Sequence, residues 1–295
     1  MDSLEKAFAL KDSDARVLME LDQLYKKLNR NYKDRLQFLE KYLPLVEQRD
    51  DLYLERITLY NQLGEYNKAK DLLSVYKFHP WEGGEGKVIA QHLICNVELA
   101  KEQICSGNYS DALGLLNEAE NYPPNLGEEK LAGVQENDIH FWKGVAYEGI
   151  SNEEMANQFY QMATRGISEP ASATFYNDPQ PDKIFYQGLA WKKLKDPVRS
   201  DEIFKRLIEY GQSHMEDQIS IDYFAVSLPD LLVFNVDLNL RNRIHCFYIM
   251  ALGNLGLDKA HAKNAGKYFD RILELDANHQ GALIHKRMIG VAYIE

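Results

Sequence analysis

The chain has 295 residues, 45% hydrophobic and 27% charged, as is typical of a folded globular protein. Its net charge of −11 argues against nucleic-acid binding, because such proteins concentrate lysine and arginine on one face. No stretch approaches the roughly 20 apolar residues of a membrane span, and the N-terminus lacks the pattern of a secretory signal.

The first elements along the chain are predicted to be helices. Residues 4–42 form three helical stretches, and Asp14 and Asp34 are their expected N-caps. The opening segment, residues 4–15, has the pattern of the second helix of a pair whose first helix is missing. We therefore expect the chain to be the C-terminal part of a longer protein.

Five segments then share one pattern of small and aromatic residues. In the clearest copy, Gly64 precedes Tyr66 by two residues and Ala69 follows it by three. The matching segments are residues 59–73, 101–116, 142–163, 186–207 and, more loosely, 250–279. Each predicts two antiparallel helices that cross closely at the small residues. The glycine ending the first helix of the first two copies should adopt a left-handed C-cap conformation.

These pairs predict a single all-α domain over residues 1–295. The pairs are placed roughly at residues 17–50, 51–80, 90–124, 137–168, 183–211 and 240–276. Residues 217–239 form an irregular segment in which Pro229 is expected to start a helix, and residues 281–294 form a closing helix. Because each pair buries its apolar face only against neighbours, the predicted architecture is a right-handed α-α superhelix, or α-solenoid, with extended inter-repeat loops.

The repeats resemble a known family. The residues that carry the resemblance most fully are Gly144, Tyr147, Ala156, Tyr160 and Ala163, which look like a tetratricopeptide (TPR) repeat. The first copies recur every 43 to 44 residues. Since the usual repeat has about 34, about ten residues are added between repeats.

A wider resemblance covers nearly the whole chain. Residues 49–88, 123–144 and 222–245 together look like the C-terminal TPR region of a family of large bacterial proteins. The N-terminal domain of those proteins has no assigned function and resembles sugar-binding β-sandwich folds. The resemblance implies an accessory role in a carbohydrate-related protein, with the helices packing on the β-domain or presenting loops to it.

Two glycine-containing insertions, residues 80–87 and 124–130, occupy equivalent places after successive helices. Neither is a phosphate-binding loop, since Val88 follows Gly86-Lys87 where a hydroxyl is needed and the preceding segment is helical. One interpretation is structural: proline ends a helix, glycine permits a turn and a glutamate caps the next helix. The other is a carbohydrate- or peptide-binding surface. Its candidate residues are His79, Trp81, Glu82, Glu85, Lys87, Asn125 and Glu128.

Two further groups are candidate binding residues: Asn137, Asp138 and His140, and the pair Arg241 and His245. Asp138 is also the expected N-cap of the next helix, and Trp142 an expected core residue. Arg241 and His245 share a helical face, which indicates either a buried polar network or an anion contact.

No catalytic signature is present, so the chain is predicted not to be an enzyme, with no catalytic residues, metal or cofactor. Its eight histidines lack zinc-site spacing, and its three cysteines are expected to be reduced thiols of a cytoplasmic protein. The predicted function is a non-catalytic interaction or scaffold region of a larger bacterial protein. Its partner would be another protein or the parent's own N-terminal domain. The alternative is an accessory region whose loops complete a carbohydrate-binding or glycoside-processing site.

Overall fold

A computed structural model describes residues 2–81, 83–172, 178, 180–220 and 237–290. Across these ranges the chain forms fifteen α-helices and no strand, which confirms the all-α prediction. The helices are α1 Asp2–Leu10, α2 Ala15–Lys27, α3 Tyr32–Lys41, α4 Leu43–Val46, α5 Asp50–Leu63, α6 Tyr66–Val75, α7 Lys87–Cys105, α8 Tyr109–Glu120, α9 Asn137–Gly149, α10 Glu153–Ala163, α11 Pro181–Lys193, α12 Pro197–His214, α13 Leu238–Leu257, α14 Lys259–Leu275 and α15 Gln280–Lys286. A 3-10 turn, Pro124–Leu126, lies between α8 and α9.

Three sequence predictions concern residues near the gaps. Glu82 and Pro229 lie outside the described residues, as does most of the predicted irregular segment 217–239. Of the predicted closing helix 281–294, residues 291–294 also lie outside the described residues, and in the described part α15 ends at Lys286.

The same turn joins the two helices of five pairs. A residue with positive φ stands at each turn: Asn29 (53°), Gly64 (80°), Gly107 (78°), Ser151 (61°) and Lys195 (62°). The next residue donates its N–H to the carbonyl five positions earlier, as Glu65 does to Tyr60 at 2.9 Å and Asp196 does to Trp191 at 3.0 Å. This 6→1 bond is that of the Schellman motif, which satisfies a carbonyl left unpaired at a helix end. The left-handed glycines expected at Gly64 and Gly107 are confirmed.

Small residues let the helices cross closely, as expected. A Cβ built on Gly144 would lie 2.4 Å from the ring of Tyr160, and one on Gly188 would lie 2.5 Å from the ring of Phe204. Each aromatic ring therefore fills the space that the facing glycine leaves open. Trp142, the expected core residue, is 1% exposed.

The helices pack in chain order. Each second helix contacts the first helix of the next pair, and the first helices α5, α7, α9, α11 and α13 contact one another in succession. Two hydrophobic clusters result, one from α1 to α7 and one from α7 to α15. Leu93 of α7 packs against both, so this helix joins the two halves of the described core.

Of the two N-caps expected near the start of the chain, one is confirmed. The Asp14 side chain accepts hydrogen bonds from the N–H groups of Arg16 and Val17, at 3.0 and 3.4 Å. The prediction for Asp34 is wrong, because α3 begins earlier and Asn31 caps it through the N–H of Lys33 at 2.8 Å. Asp34 lies in the first turn, where its charge is favourable to the helix dipole.

Among the described helices, none combines the length and apolarity that crossing a bilayer requires.

Candidate functional site

The two insertions dock onto each other through Asn125. Its side-chain amide donates to the carbonyls of Leu73 and Tyr76, both at 2.8 Å, and so closes the C-terminal end of α6. Its own carbonyl accepts the N–H of Phe78 at 2.8 Å. The polar groups of Asn125 are thus used within the fold, and they join the second insertion to the first.

Glu128 makes a second connection between the insertions. Its carboxylate accepts the N–H of Gly86 at 2.8 Å, at the N-terminal end of α7. The prediction that each insertion's own glutamate caps the next helix is wrong: α7 has no side-chain cap, and Glu128 of the other insertion binds the N–H of its N-cap residue, Gly86. Gly86 itself takes φ 73°, which glycine adopts without a steric penalty. Burial raises the pKa of Glu128, and its bond to Gly86 acts in the opposite direction.

The other candidate residues in and beside the first insertion make contacts separate from those of Asn125. His79 is exposed, and both its N–H and its Nδ1 lie within 3.2 Å of Asp50, at the start of α5. Trp81 is half-buried, with its ring against Gly84 and the N-terminal hydrophobic cluster. Glu85 and Lys87 are exposed. Trp81 is therefore anchored in the loop and is only partly exposed.

Asn137 repeats the role of Asn125 one pair later. It is 3% exposed, and its amide donates to the carbonyls of Ala163 and Arg165, both at 2.7 Å, at the end of α10. His92 does the same for α8 through the carbonyls of Glu118 and Asn121, and Asn242 for α12 through that of His214. A polar side chain thus closes the C-terminal end of each of these second helices.

Asp138 is not an N-cap, contrary to expectation. The N-cap position of α9 is held by Glu136, whose side chain makes no capping bond, and Asp138 lies within the first turn. Its carboxylate instead binds Lys183 at 2.6 Å, and Asp182 lies 3.6 Å from the same ammonium. The pKa of Asp182 is raised, chiefly by burial and against the effect of Lys183.

His140 and His245 also have contacts within the fold. His140 is half-buried, with its Nε2 at 3.6 Å from Glu120, a carboxylate that also binds Lys143 at 2.6 Å. His245 places its Nε2 at 2.8 Å from the carbonyl of Ala171, so this nitrogen is the donor. Burial lowers the pKa of both histidines. Arg241 is exposed, unlike half-buried His245.

A buried ionic network lies among the first helices, and no sequence motif indicated it. The guanidinium of Arg35 binds both carboxylate oxygens of Asp22, at 3.1 and 2.6 Å, and reaches Glu55 at 2.7 Å. Lys26 binds the same Glu55 at 3.0 Å. Burial acts to raise the pKa of Glu55, but Lys26 and Arg35 together lower it to about 2. Burial raises the pKa of Asp22 in spite of Arg35.

The end of the described chain returns to this network. We call residues 275–288 the C-terminal segment, and the residues that receive it the N-terminal contact surface: Lys26, Asn29, Arg35, Gln62, Tyr66 and Gln91. Asn278 accepts a hydrogen bond from Arg35 at 2.8 Å, and its carbonyl accepts one from Gln62 at 2.9 Å. Gln280 pairs with Gln91 at 3.0 Å. Residues more than 180 positions apart in the sequence thus meet.

The other side of the C-terminal segment faces the later pairs. His285 is 4% exposed and lies against the rings of Phe185, Tyr186 and Tyr248. Its Nδ1 donates to the carbonyl of Gly281 at 2.8 Å, and its Nε2 is buried without a hydrogen-bond partner. Burial lowers the pKa of His285 to about 4, so the ring is neutral at pH 7. The segment therefore bridges the two halves of the described fold.

Within the described ranges, no group of three or more His, Cys, Asp and Glu side chains could hold a metal ion. No protein-family model matches the chain. The TPR resemblance therefore stands on the residues quoted above.

Proposed function

We propose that this chain is a TPR-like α-solenoid that acts as a non-catalytic interaction or scaffold region of a larger, cytoplasmic bacterial protein. The observation that carries the proposal is the recurrence of one unit: two helices, a positive-φ turn and a glycine facing an aromatic ring. Arrays of such units present long surfaces of successive helices, which suit protein partners better than a small reactive pocket.

The contacts of the polar candidate residues argue against a catalytic role. Asn125 and Asn137 cap helices, Glu128 holds the start of α7, and Asp138 is neutralised by Lys183. General acid–base catalysis needs a carboxylate or imidazole directed at a substrate. These groups are directed at the backbone or at a lysine of the same chain.

The alternative, a carbohydrate site completed by the insertions, has less support. It rests on the partial exposure of Trp81, since an aromatic face beside polar groups suits a sugar. Asn125 and Glu128, which would orient that sugar, are already bonded to the backbone. A single half-buried ring would then have to supply the binding.

Site-specific photo-crosslinking tests the proposal. A photoreactive residue is placed at Glu102 on the first helix α7 or at Asp111 on the second helix α8, both of which are exposed. We expect one discrete partner adduct in the source cell from position 102 and none from position 111. Equal adducts from both positions would refute a face-specific interaction region. Binding to a glycan array that Trp81→Ala abolishes would establish the alternative instead.

A further inference from the structure

The N-terminal contact surface is occupied by the chain's own C-terminal segment. We propose that it is a docking surface for a partner peptide carrying a side-chain amide and, about one short helix later, a basic group. The C-terminal segment is its resident and displaceable occupant. This inference rests on the proposed function, because it assigns partner binding to one part of that region.

Asn278 provides the first specificity position. Its side-chain oxygen accepts from Arg35 at 2.8 Å, its side-chain nitrogen donates to the carbonyl of Lys26 at 3.3 Å, and its carbonyl accepts from Gln62 at 2.9 Å. A carboxamide carries its acceptor oxygen and its donor nitrogen on separate atoms, so it can make both side-chain bonds at once. The contact surface therefore favours an asparagine or a glutamine at this position of the peptide.

Arg287 provides the second position. Its guanidinium donates to the hydroxyl of Tyr66 and, at 2.8 Å, to the carbonyl of Gln62. Glu102 lies nearby on α7: burial and Glu98 raise its pKa, and Arg287 opposes that rise. The corner is acidic, so an incoming peptide needs a cation there.

Asn29 binds the peptide backbone. Its side-chain nitrogen donates to the carbonyl of Leu275 at 2.9 Å, and its side-chain oxygen accepts the N–H of Ala277 at 3.2 Å. One asparagine therefore holds two backbone groups, whatever side chains they carry. This pair of bonds matches the backbone groups of a polypeptide turn.

The resident occupant leaves the surface incompletely satisfied. The side-chain oxygens of Asn61 and Gln62 are buried beside it without a hydrogen-bond donor, and His285 of the segment has an unpartnered Nε2. A buried acceptor without a donor is unfavourable, so a peptide with donors at these points binds better than the segment. The contacts of the segment with the N-terminal contact surface are polar, as is usual for exchangeable interfaces within a chain, whereas Ala282 and Met288 on its other side are buried in the hydrophobic core.

Binding in trans tests the exchange. The probe is a labelled synthetic peptide with the sequence of residues 273–290, added to the wild-type 295-residue chain or to its double variant Asn278→Ala, Arg287→Ala. We expect the peptide to bind the double variant at least tenfold more tightly than the wild type, whose surface is occupied. A probe peptide with the same two substitutions should not bind.

Arg271→Ala is the matched control. Arg271 is an exposed arginine of α14 that pairs with Glu274 of the same helix at 2.8 Å. The Arg271→Ala substitution removes one positive charge, as the double variant does, but Arg271 makes no contact with the N-terminal contact surface. The control should bind the probe as weakly as the wild type does.

Amide hydrogen exchange gives a second measurement that does not depend on the variant folding. In the wild type, amides of α15 should exchange through an opening that leaves α5 and α7 protected. The inference would be overturned if the amides of α5, α7 and α15 exchanged in one common opening. It would also be overturned if the double variant folded but did not bind the probe. Probe binding without any cellular adduct at position 102 would leave the docking surface in place and refute the proposed function.

Discussion

Replacing Arg35 with methionine should lower the free energy of unfolding by about 3–5 kcal/mol, the usual cost of stranding a buried ion. Arg35 is 0% exposed and its partner Asp22 is 2% exposed. Methionine retains the unbranched apolar part of the side chain, so the change removes mainly the guanidinium. Asp22 loses both of its bonds from Arg35, and Glu55 keeps only Lys26.

A surface ion pair of the same type supplies the control. Arg16 binds Glu20 at 3.0 Å on the exposed face of α2, with the arginine side chain 76% exposed. Such pairs contribute about 0–1 kcal/mol, so Arg16→Met should change stability by no more than that. The difference between the two variants isolates the effect of burial.

The pH dependence of stability gives an independent test of the same argument. Burial already raises the pKa of Asp22 above its ordinary 3.8, and loss of Arg35 raises it further. The folded variant then holds a proton that the unfolded chain releases, so its stability falls as pH rises above that ordinary value. Urea unfolding followed by circular dichroism should show the gap to wild type widening from pH 4 to pH 7. A loss under about 1 kcal/mol at pH 7, or a narrowing gap, would refute the argument for a stranded buried charge.

Three further expectations follow from single sites. Gly144→Ala should destabilise the fold by about 1–3 kcal/mol through overpacking, whereas Gly114→Ala, in open space on α8, should stabilise it by about 0.5–1 kcal/mol in the same urea titration. Asn125→Ala leaves two backbone carbonyls without a donor, so it should lower the free energy of unfolding by about 1–3 kcal/mol and lower the melting temperature. The control, Asn117→Ala at an exposed position, should leave the melting temperature unchanged. Burial lowers the pKa of His285 to about 4 from its ordinary 6.5. The neutral ring therefore contributes its full share to the free energy of unfolding above pH 6.5, and that share is lost as pH falls towards 4. That loss is about 3 kcal/mol in urea unfolding, and His285→Met should flatten it.

The helix pairs could be predicted because their signal is local. A glycine that ends a helix and an alanine or glycine that faces an aromatic ring are visible within some twenty residues of sequence. The positive φ of Asn29, Ser151 and Lys195 is not predicted, because glycine marks this position only in the first two copies. The bond that defines the turn runs between backbone groups, so a residue with a side chain can take the position at a modest steric cost.

The candidate site was less predictable for two reasons. Asn125, Asn137 and Glu128 were singled out as polar residues in loops, yet their partners are backbone groups at helix ends whose positions the sequence did not give. Asp138 was assigned to a cap that lies two positions away from it. An error of one or two residues at a helix end is ordinary, and it changes which side chain can cap.

The contact between Arg35 and Asn278 could not be predicted at all, because these residues lie 243 positions apart. It nevertheless sets a condition on any partner. A ligand that displaces the C-terminal segment removes the acceptor of Arg35 Nη1, while Nε and Nη2 stay bound to Asp22 and Glu55. A peptide with an amide replaces the lost acceptor, whereas an apolar peptide leaves a buried charged donor without a partner. Selectivity at this surface would then come mainly from the penalty on wrong ligands, since a missing bond to a buried ion is more unfavourable than one additional bond is favourable.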